Sequence, residues 1–304
     1  MISQETKTAI TFRNILIATD FSAFSGTAFP YALDLARRFG SALHIVHVLA
    51  PEPYWLVPSD GYGMTPVFPL NPSSRTNAEA GLQRLVTWAS SLAITPQTIL
   101  CEGDAPAVIS ATIAERSIDL VVLATHGRTG LDRLAAGSVA ETVLRSTSCP
   151  VFTVGPRTPS VGDGSAEIHE ILFATDFSSH AAEVLHYALG LAHEYRASLT
   201  LLHVEPEDEG RFTFDRVMAG AALTQKLGRL VPADAELWSE PKFAVEFGAP
   251  AAGIVKAATD HKADLIVMGA HGAGAMLAAA THLFGGTAHT VVCQAPCPVL
   301  TVRR

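Results

Sequence analysis

Two glycine-rich segments of the sequence are suited to hold an anion. Their members are Ala124, Gly127, Gly130, Gly137 and Ser138 in the first half, and Gly269, Gly272, Gly285 and Gly286 in the second. We expect Gly127, Gly130 and Gly137 to take positive φ and to expose successive N–H groups, while a helix that opens at Gly137-Ser138 adds unpaired donors and a positive dipole end. This pattern predicts a phosphate cradle. It is not a Walker A loop, because no Gly-Lys-Ser or Gly-Lys-Thr follows.

One acidic residue in each half follows a short apolar run. Asp20 and Asp176 stand in the repeated stretch Ala-Thr-Asp-Phe-Ser. A carboxylate at a strand end can accept hydrogen bonds from sugar hydroxyls. Ser22 and Ser178 nearby leave a second interpretation open, in which each aspartate only forms a turn or caps the next helix.

Other polar residues near the glycines have structural interpretations. Ser138 and Glu141 have the Ser-x-x-Glu spacing of a capping box, which starts a helix and needs no ligand. His126 and His271 lack a nucleophile or carboxylate partner recognisable in the sequence, so we interpret them as hydrogen-bonded structural residues. The sequence predicts no catalytic residue and no metal site.

The two halves of the chain are copies of one unit. The matched pairs are residues 15–22 with 171–178, His47-Val48 with His203-Val204, Gly103 with Gly248, His126-Gly127 with His271-Gly272, and Cys149-Pro150 with Cys297-Pro298. Spacing is unchanged across the first two pairs. The segment between the copies is rich in Gly, Pro and Ser and is expected to be an exposed linker. We therefore predict a first domain over residues 1–155, a linker over 156–166 and a second domain over 167–304.

Short apolar runs without polar alternation predict parallel strands that are buried on both faces. In the first copy they are residues 12–18, 42–49, 98–101, 120–124 and 151–154. Helical patterns lie between them, and one apolar stripe runs from Ala28 to Phe39, where Gly40 stops the helix. The fold class predicted is α/β, with two tandem doubly wound parallel-sheet domains of about five strands each. Ligands in this class bind beyond the carboxyl ends of the strands.

Composition and net charge limit the classes of protein to which the chain can belong and the partners it can bind. The 304 residues are 48% hydrophobic and 16% charged, which is typical of a globular protein, and the net charge of −8 argues against nucleic-acid binding. A polar N-terminus and the absence of a long apolar run predict a cytoplasmic protein without a membrane partner. Four cysteines without a C-x-x-C pair predict buried, reduced thiols. Residues 51–72, rich in proline and aromatics, are expected to be a lid, a partner surface or a disordered loop.

Several separated motifs together resemble the universal stress protein family. They are Asp-Phe-Ser after the first strand, His-Val ending the second, the glycine loop after the fourth, and Cys-Pro before the last, and each occurs in both copies. ATP-binding members of that family show Gly-x-x-Gly, a nine-residue spacer, and then Gly-Ser or Gly-Thr. The first copy departs from this pattern at Ala124. The second copy restores the glycine at 269 but has a longer spacer and Gly286 in place of Ser138.

The resemblance implies a Rossmann-like, adenine nucleotide α-hydrolase-like fold that binds ATP, with or without Mg²⁺. It implies that Asp20 contacts the ribose, that the backbone of Val48 lines the adenine pocket, and that Gly127, Gly137 and Ser138 hold the phosphates. The candidate positions in the first copy are Ala18, Thr19, Asp20, Val48, Ala124, Gly127, Arg128, Gly130, Gly137, Ser138 and Val139. Those in the second copy are Ala174, Asp176, Val204, Met268, Gly269, Gly272, Gly285, Gly286 and Thr287.

The function expected is that of an ATP-binding regulatory or stress-response protein, not an enzyme, with at most slow ATP hydrolysis. Two alternatives remain open: a nucleotide-free dimerisation module with vestigial loops, and a nucleotidyl-transfer enzyme. The partner expected is an adenine nucleotide.

Residues 151–154 and 299–302 are apolar last strands, and we expect the two halves to pair through them within one chain, with a homodimer also open. The first copy is expected to be the better ATP site, because Arg128 and Arg133 lie in its loop whereas residues 268–286 contain no Lys or Arg.

Overall fold

The computed structural model describes residues 10–49, 55–59, 63–67, 72–125, 137–162, 165–207, 213–270 and 286–303. The strands are β1 (Asn14–Ala18), β2 (Ala42–Leu49), β3 (Trp55–Ser59), β4 (Gly63–Val67), β5 (Gln97–Glu102), β6 (Leu120–Ala124), β7 (Val151–Val154), β8 (Glu170–Ala174), β9 (Ser198–Glu205), β10 (Lys242–Phe247), β11 (Leu265–Gly269) and β12 (Val299–Val302). The helices are α1 (Ala23–Phe39), α2 (Pro72–Ser91), α3 (Ala105–Glu115), α4 (Ser138–Ser146), α5 (Ala181–Tyr195), α6 (Thr213–Gly228), α7 (Pro250–Asp260) and α8 (Gly286–Gln294). Within these ranges, no helix has both the length and the apolarity that crossing a membrane requires.

Each half forms the same parallel five-stranded sheet. The strand order is β5-β2-β1-β6-β7 in the first half and β10-β9-β8-β11-β12 in the second. Buried side chains form one cluster on the face covered by α1 and α5, and another on the face covered by α4 and α8. This arrangement confirms the predicted α/β class with doubly wound sheets. The winding direction reverses between β1 and β6, and between β8 and β11, which creates a crevice at the carboxyl ends of those strands.

The first helix begins and ends where local chemistry requires. Ser22 is the N-cap of α1, and its hydroxyl accepts a hydrogen bond from the Ser25 amide at 3.1 Å. Gly40 closes the helix at φ 63°, a left-handed conformation that glycine adopts without the steric cost of a Cβ. The predicted stop at Gly40 is therefore confirmed.

The two sheets join into one of ten strands through an antiparallel pair, β7 with β12. Phe152 lies opposite Leu300 in this pair. The Thr153 hydroxyl donates to the Val299 carbonyl at 3.0 Å, and the Thr301 hydroxyl donates to the carbonyl at Val151 at 3.3 Å. The expectation that the halves pair through their last strands is confirmed within the chain.

Part of the proline-rich segment 51–72 forms a structure that the sequence did not predict. Strands β3 and β4 pair there as an antiparallel hairpin, with Leu56 opposite Pro66 and Pro58 opposite Met64. Proline has no N–H to donate, but each strand of a two-stranded sheet has one edge without a strand partner, so proline is tolerated there. A regular hairpin was not predicted for these ten residues, and the expectations of a lid, a partner surface or a disordered loop stay predictions.

The segment between the copies is only partly exposed, so the expectation of an exposed linker was wrong in part. Residues 157, 159, 160 and 162 are exposed as expected, whereas Ala166 is only 2% exposed. The Tyr31 hydroxyl donates to the Pro159 carbonyl at 3.3 Å, and Arg157 Nη1 donates to the Gln294 carbonyl at 3.2 Å. The segment therefore packs against both halves.

A buried histidine makes the stability of the fold depend on pH. His44 on β2 is 3% exposed, and within the described residues neither ring nitrogen has a hydrogen-bond partner. Burial first, and the nearby Arg116 second, lower the pKa of His44 below its ordinary 6.5. As the pH falls below 6.5, the unfolded chain takes up a proton before the folded chain does, so the free energy of unfolding falls by up to about 1.4 kcal/mol per pH unit.

We therefore expect His44→Leu to reduce the loss of stability between pH 7.5 and pH 5.5, measured by urea unfolding. Thr200→Val is the matched control, because Thr200 holds the equivalent position in the second copy and its buried hydroxyl also lacks a partner within the described residues. It is expected to raise stability by a similar amount at both pH values. Equal pH slopes for the wild type and His44→Leu would contradict the assignment.

Candidate functional site

The predicted residues at the ends of the strands come together at the crevice where the sheet winding reverses. In the first half, Ala18 ends β1, Ala124 ends β6 and Val48 is the penultimate residue of β2. Ala174, Gly269 and Val204 hold the same places in the second half. Each half therefore presents one such constellation at the carboxyl edge of its sheet.

The backbone of Val48 faces this crevice. The carbonyl of Val46 accepts a hydrogen bond from the Thr19 amide at 3.0 Å, which shows that Val46 points toward β1. Residues two apart in a parallel strand direct their N–H and C=O groups to the same side, so those of Val48 also point toward β1. Because β1 ends at Ala18, they point past its end. Val204 repeats this arrangement in the second half.

The aspartates lie in tight turns directly after β1 and β8. Asp20 Oδ1 accepts a hydrogen bond from the Ser22 amide at 2.9 Å, and Asp176 Oδ1 accepts one from Ser178 at 3.0 Å. The turn interpretation is thus correct for one oxygen of each carboxylate, whereas the cap of α1 is Ser22 and not Asp20. A carboxylate accepts several hydrogen bonds, so the turn uses only part of its capacity. Asp20 is half-buried and Asp176 is exposed.

An aromatic ring and a histidine hold each turn in place, and neither was predicted from the sequence to belong to the site. Phe21 has φ 59°, and its ring centroid lies 4.3 Å from that of His47. His47 Nδ1 lies 2.7 Å from the Thr19 carbonyl, so Nδ1 carries the hydrogen. Phe177 and His203 repeat this geometry, with φ 57°, a ring distance of 4.5 Å and a hydrogen bond of 2.8 Å to the Thr175 carbonyl. The signal in the sequence was the recurrence of Asp-Phe-Ser and His-Val at fixed spacing.

The two constellations differ in what surrounds the aromatic ring. In the first half, α2 approaches so closely that a Cβ added at Gly81 would lie 2.7 Å from Phe21 Cζ. In the second half the helix contact comes from Lys226, whose Nζ lies 3.9 Å from the centroid of the Phe177 ring.

The next difference lies at the ends of β2 and β9. His203 Nε2 is 3.2 Å from Glu205 Oε2, whereas the residue equivalent to Glu205 in the first half is Leu49. Glu205 and Lys226 therefore place charged side chains beside the histidine and the aromatic ring of the second constellation.

Most of each glycine loop lies outside the described residues. This applies to Gly127, Arg128, Gly130 and Arg133 in the first copy and to Gly272 and Gly285 in the second. The described base of the first loop is closed by a hydrogen bond of 2.6 Å from the Gly137 amide to the Thr125 carbonyl.

Gly137 departs from its predicted role. Its φ is −59° and its ψ 148°, the extended conformation of an N-cap, so the expectation of a positive φ was wrong. Its amide was expected to be exposed but is bonded to Thr125, because it closes the base of the loop.

The residues that follow also correct the capping-box interpretation. The N-cap of α4 is Gly137 and carries no side-chain cap, which makes Ser138 the first helical residue. Glu141 instead pairs with Arg145 at 3.5 Å. Ser138 and Val139 thus lie in the first turn of α4, at its positive end.

In the second copy, Gly286 is the exposed first residue of α8, and Thr287 follows it. Met268, another predicted site residue, is buried in the core cluster on the face covered by α4 and α8.

Comparison with known proteins identifies the repeated unit. The model of the Universal stress protein family matches residues 11–155 and again residues 167–303. Universal stress protein MJ0531 of Methanocaldococcus jannaschii is 27% identical over 47% of this chain and 82% of its own length. A universal stress protein of Thermus aquaticus is 35% identical over 44% of this chain and 97% of its own length. The crystal structure of a universal stress protein from Archaeoglobus fulgidus aligns over 98% of both chains, with a TM-score of 0.68 and 22% identity.

The contact between Phe21 and α2 gives a direct test of the strand-end geometry. Gly81→Ala places a Cβ within 2.7–2.9 Å of three atoms of the Phe21 ring, which must then move against His47. We expect a net loss of about 1–2 kcal/mol in the free energy of unfolding, because overpacking outweighs the gain in helix propensity.

Gly220→Ala on α6 is the matched control, since among the described residues its added Cβ meets only Phe247 Cε2, at 4.0 Å. This variant is expected to be as stable as the wild type or more stable. The geometry would be contradicted if urea unfolding gave equal stability changes for the two variants.

Proposed function

Because this chain belongs to the universal stress protein family, we propose that it binds ATP in the crevices of its two domains and serves a regulatory role in a stress response, with at most slow hydrolysis. The observation that supports this most is the backbone of Val48 and Val204, which faces the crevice past the ends of β1 and β8. An N–H donor and a C=O acceptor on one residue complement the adenine edge, which offers a ring nitrogen beside an amino group.

The rest of the constellation suits the remaining parts of ATP. Asp20 is the second residue after β1 and offers carboxylate oxygens to ribose hydroxyls. The first turn of α4, which contains Ser138, offers amide donors and a positive dipole end to the phosphates. The Gly137 amide is committed to Thr125, so we assign Gly137 to shaping the loop and not to donating to phosphate. Gly127 and Gly130 stay proposed phosphate contacts.

We propose that the two sites are unequal and that the first binds ATP more tightly. Its loop carries Arg128 and Arg133, and charge-assisted hydrogen bonds are roughly twice as strong as neutral ones. The second loop has neither cation and has Gly286 where the first has Ser138. Glu205, which follows Val204 in the chain, also places a negative charge beside the proposed adenine pocket of the second site. Against these differences stand the methyl group of Ala124, where the second copy has Gly269, and the cation of Lys226 beside Phe177 in the second copy.

Titration calorimetry with ATP, in the presence and absence of Mg²⁺, tests both the function and the ranking. We expect Gly127→Val to weaken the tighter of the two binding events at least about tenfold, which corresponds to about 1.4 kcal/mol. Gly272→Val serves as the matched variant, and it is expected to leave that event unchanged. The ranking is wrong if Gly272→Val removes tight binding and Gly127→Val retains it. The wild type giving no saturable heat would contradict the function itself and favour a nucleotide-free pairing module.

A further inference from the structure

The two halves are related by an approximate twofold axis that passes through the β7–β12 pair. Phe152 lies opposite Leu300, and these are equivalent residues of the two copies. The two threonine hydrogen bonds of this pair, from Thr153 to Val299 and from Thr301 to Val151, are related to each other by this twofold axis. For any side-chain contact across the axis, the twofold-related pair of residues can therefore be compared with the pair that makes the contact.

Helices α1 and α5 meet near this axis through a group of polar contacts. Asp34 is fully buried, and its Oδ2 accepts a hydrogen bond of 2.7 Å from the Tyr195 hydroxyl. Arg37 Nη2 lies 3.0 Å from Asp34 Oδ1, and Arg38 Nε lies 3.7 Å from Oδ2. The Arg38 guanidinium also covers the Tyr195 ring at 4.0 Å and donates to the Glu194 carbonyl at 3.0 Å.

The phenol is the donor in this group. Burial, followed by the charge and the hydrogen bond of Asp34, raises the pKa of Tyr195 well above its ordinary value. The hydroxyl therefore keeps its proton and stabilises the buried Asp34 carboxylate.

The twofold-related positions do not carry the aspartate, arginine and tyrosine side chains that make these contacts. No residue is inserted between the copies over α1 and α5, so Asp34 corresponds to Gly190, Arg38 to Glu194 and Phe39 to Tyr195. Arg38 thus contacts the backbone of Glu194, its own counterpart. The pair related by the twofold axis to Asp34 and Tyr195 is Gly190 and Phe39. The polar contacts exist on one side of the axis only.

We propose that Asp34, Arg38 and Tyr195 form a one-sided lock that lets the β7–β12 face pair a first copy with a second copy and rejects two like copies. Two first copies would bury Asp34 opposite Phe39, which has no hydroxyl, and would bring Arg38 against Arg38. Two second copies would bring Glu194 against Glu194 and leave the Tyr195 hydroxyl opposite Gly190. In two first copies the buried carboxylate keeps the ion pairs of its own helix but loses the hydroxyl donor, and this loss and the facing like charges both oppose association. The partner that fits each face is the unlike copy, which the linker supplies from the same chain.

Two variants of the full chain separate complementarity from the mere presence of these residues. The like-face variant gives the second copy the face of the first, through Gly190→Asp, Glu194→Arg and Tyr195→Phe. The exchanged-face variant adds Asp34→Gly, Arg38→Glu and Phe39→Tyr, which moves the lock to the other side of the axis. The variants are compared with the wild type by thermal unfolding and by the radius of gyration from small-angle X-ray scattering.

We expect the like-face variant to lose about 5–10 °C in the unfolding midpoint and to gain in radius of gyration as the halves separate. The exchanged-face variant, although it carries twice as many substitutions, is expected to recover at least half of both changes. The proposal is overturned if the like-face variant matches the wild type. It is equally overturned if the exchanged-face variant is impaired as much as the like-face variant, because complementarity would then have no part in the effect.

Discussion

The antiparallel pairing of β7 with β12 is the interaction on which the rest of the structure depends. It converts two five-stranded parallel sheets into one sheet of ten strands and covers an edge that each half would otherwise expose. The same pairing brings α1 against α5, where the buried Asp34 carboxylate meets the Tyr195 hydroxyl. A backbone interface that is nearly symmetric is thus combined with side chains that are not, and that combination distinguishes two fused copies from a pair of identical subunits.

The same contrast between a shared backbone and distinct side chains holds at the two crevices. In each half, the second strand continues beyond the end of the first, and a histidine and an aromatic ring fix the turn that carries the aspartate. The side chains around this frame differ: Gly81 and Leu49 in the first copy contrast with Lys226 and Glu205 in the second. A ligand bound as proposed in both crevices would therefore meet different side chains on one frame.

Much of this could be predicted from the sequence, because it depends on local pattern. Buried parallel strands and the stop at Gly40 follow from residues close together in the chain, and the repeat follows from comparing the two halves of the sequence directly. The features that could not be predicted depend on residues far apart. The Gly137 amide is taken by Thr125 across a loop, Phe21 is held by His47 on the next strand, and the Asp34 contact joins different copies. The β3–β4 hairpin was missed for another reason, since prolines normally indicate that a segment is not a strand.

We propose that one chain holds two adenine-nucleotide sites of unequal strength on a common frame. Native mass spectrometry of the intact chain titrated with ATP tests it most directly, because it counts ligands on each molecule. We predict a species with one ATP that accumulates and approaches saturation before the species with two appears. Two ATP molecules bound in parallel with equal affinity would contradict the inequality of the sites, and a chain that takes up no ATP would contradict the claim as a whole.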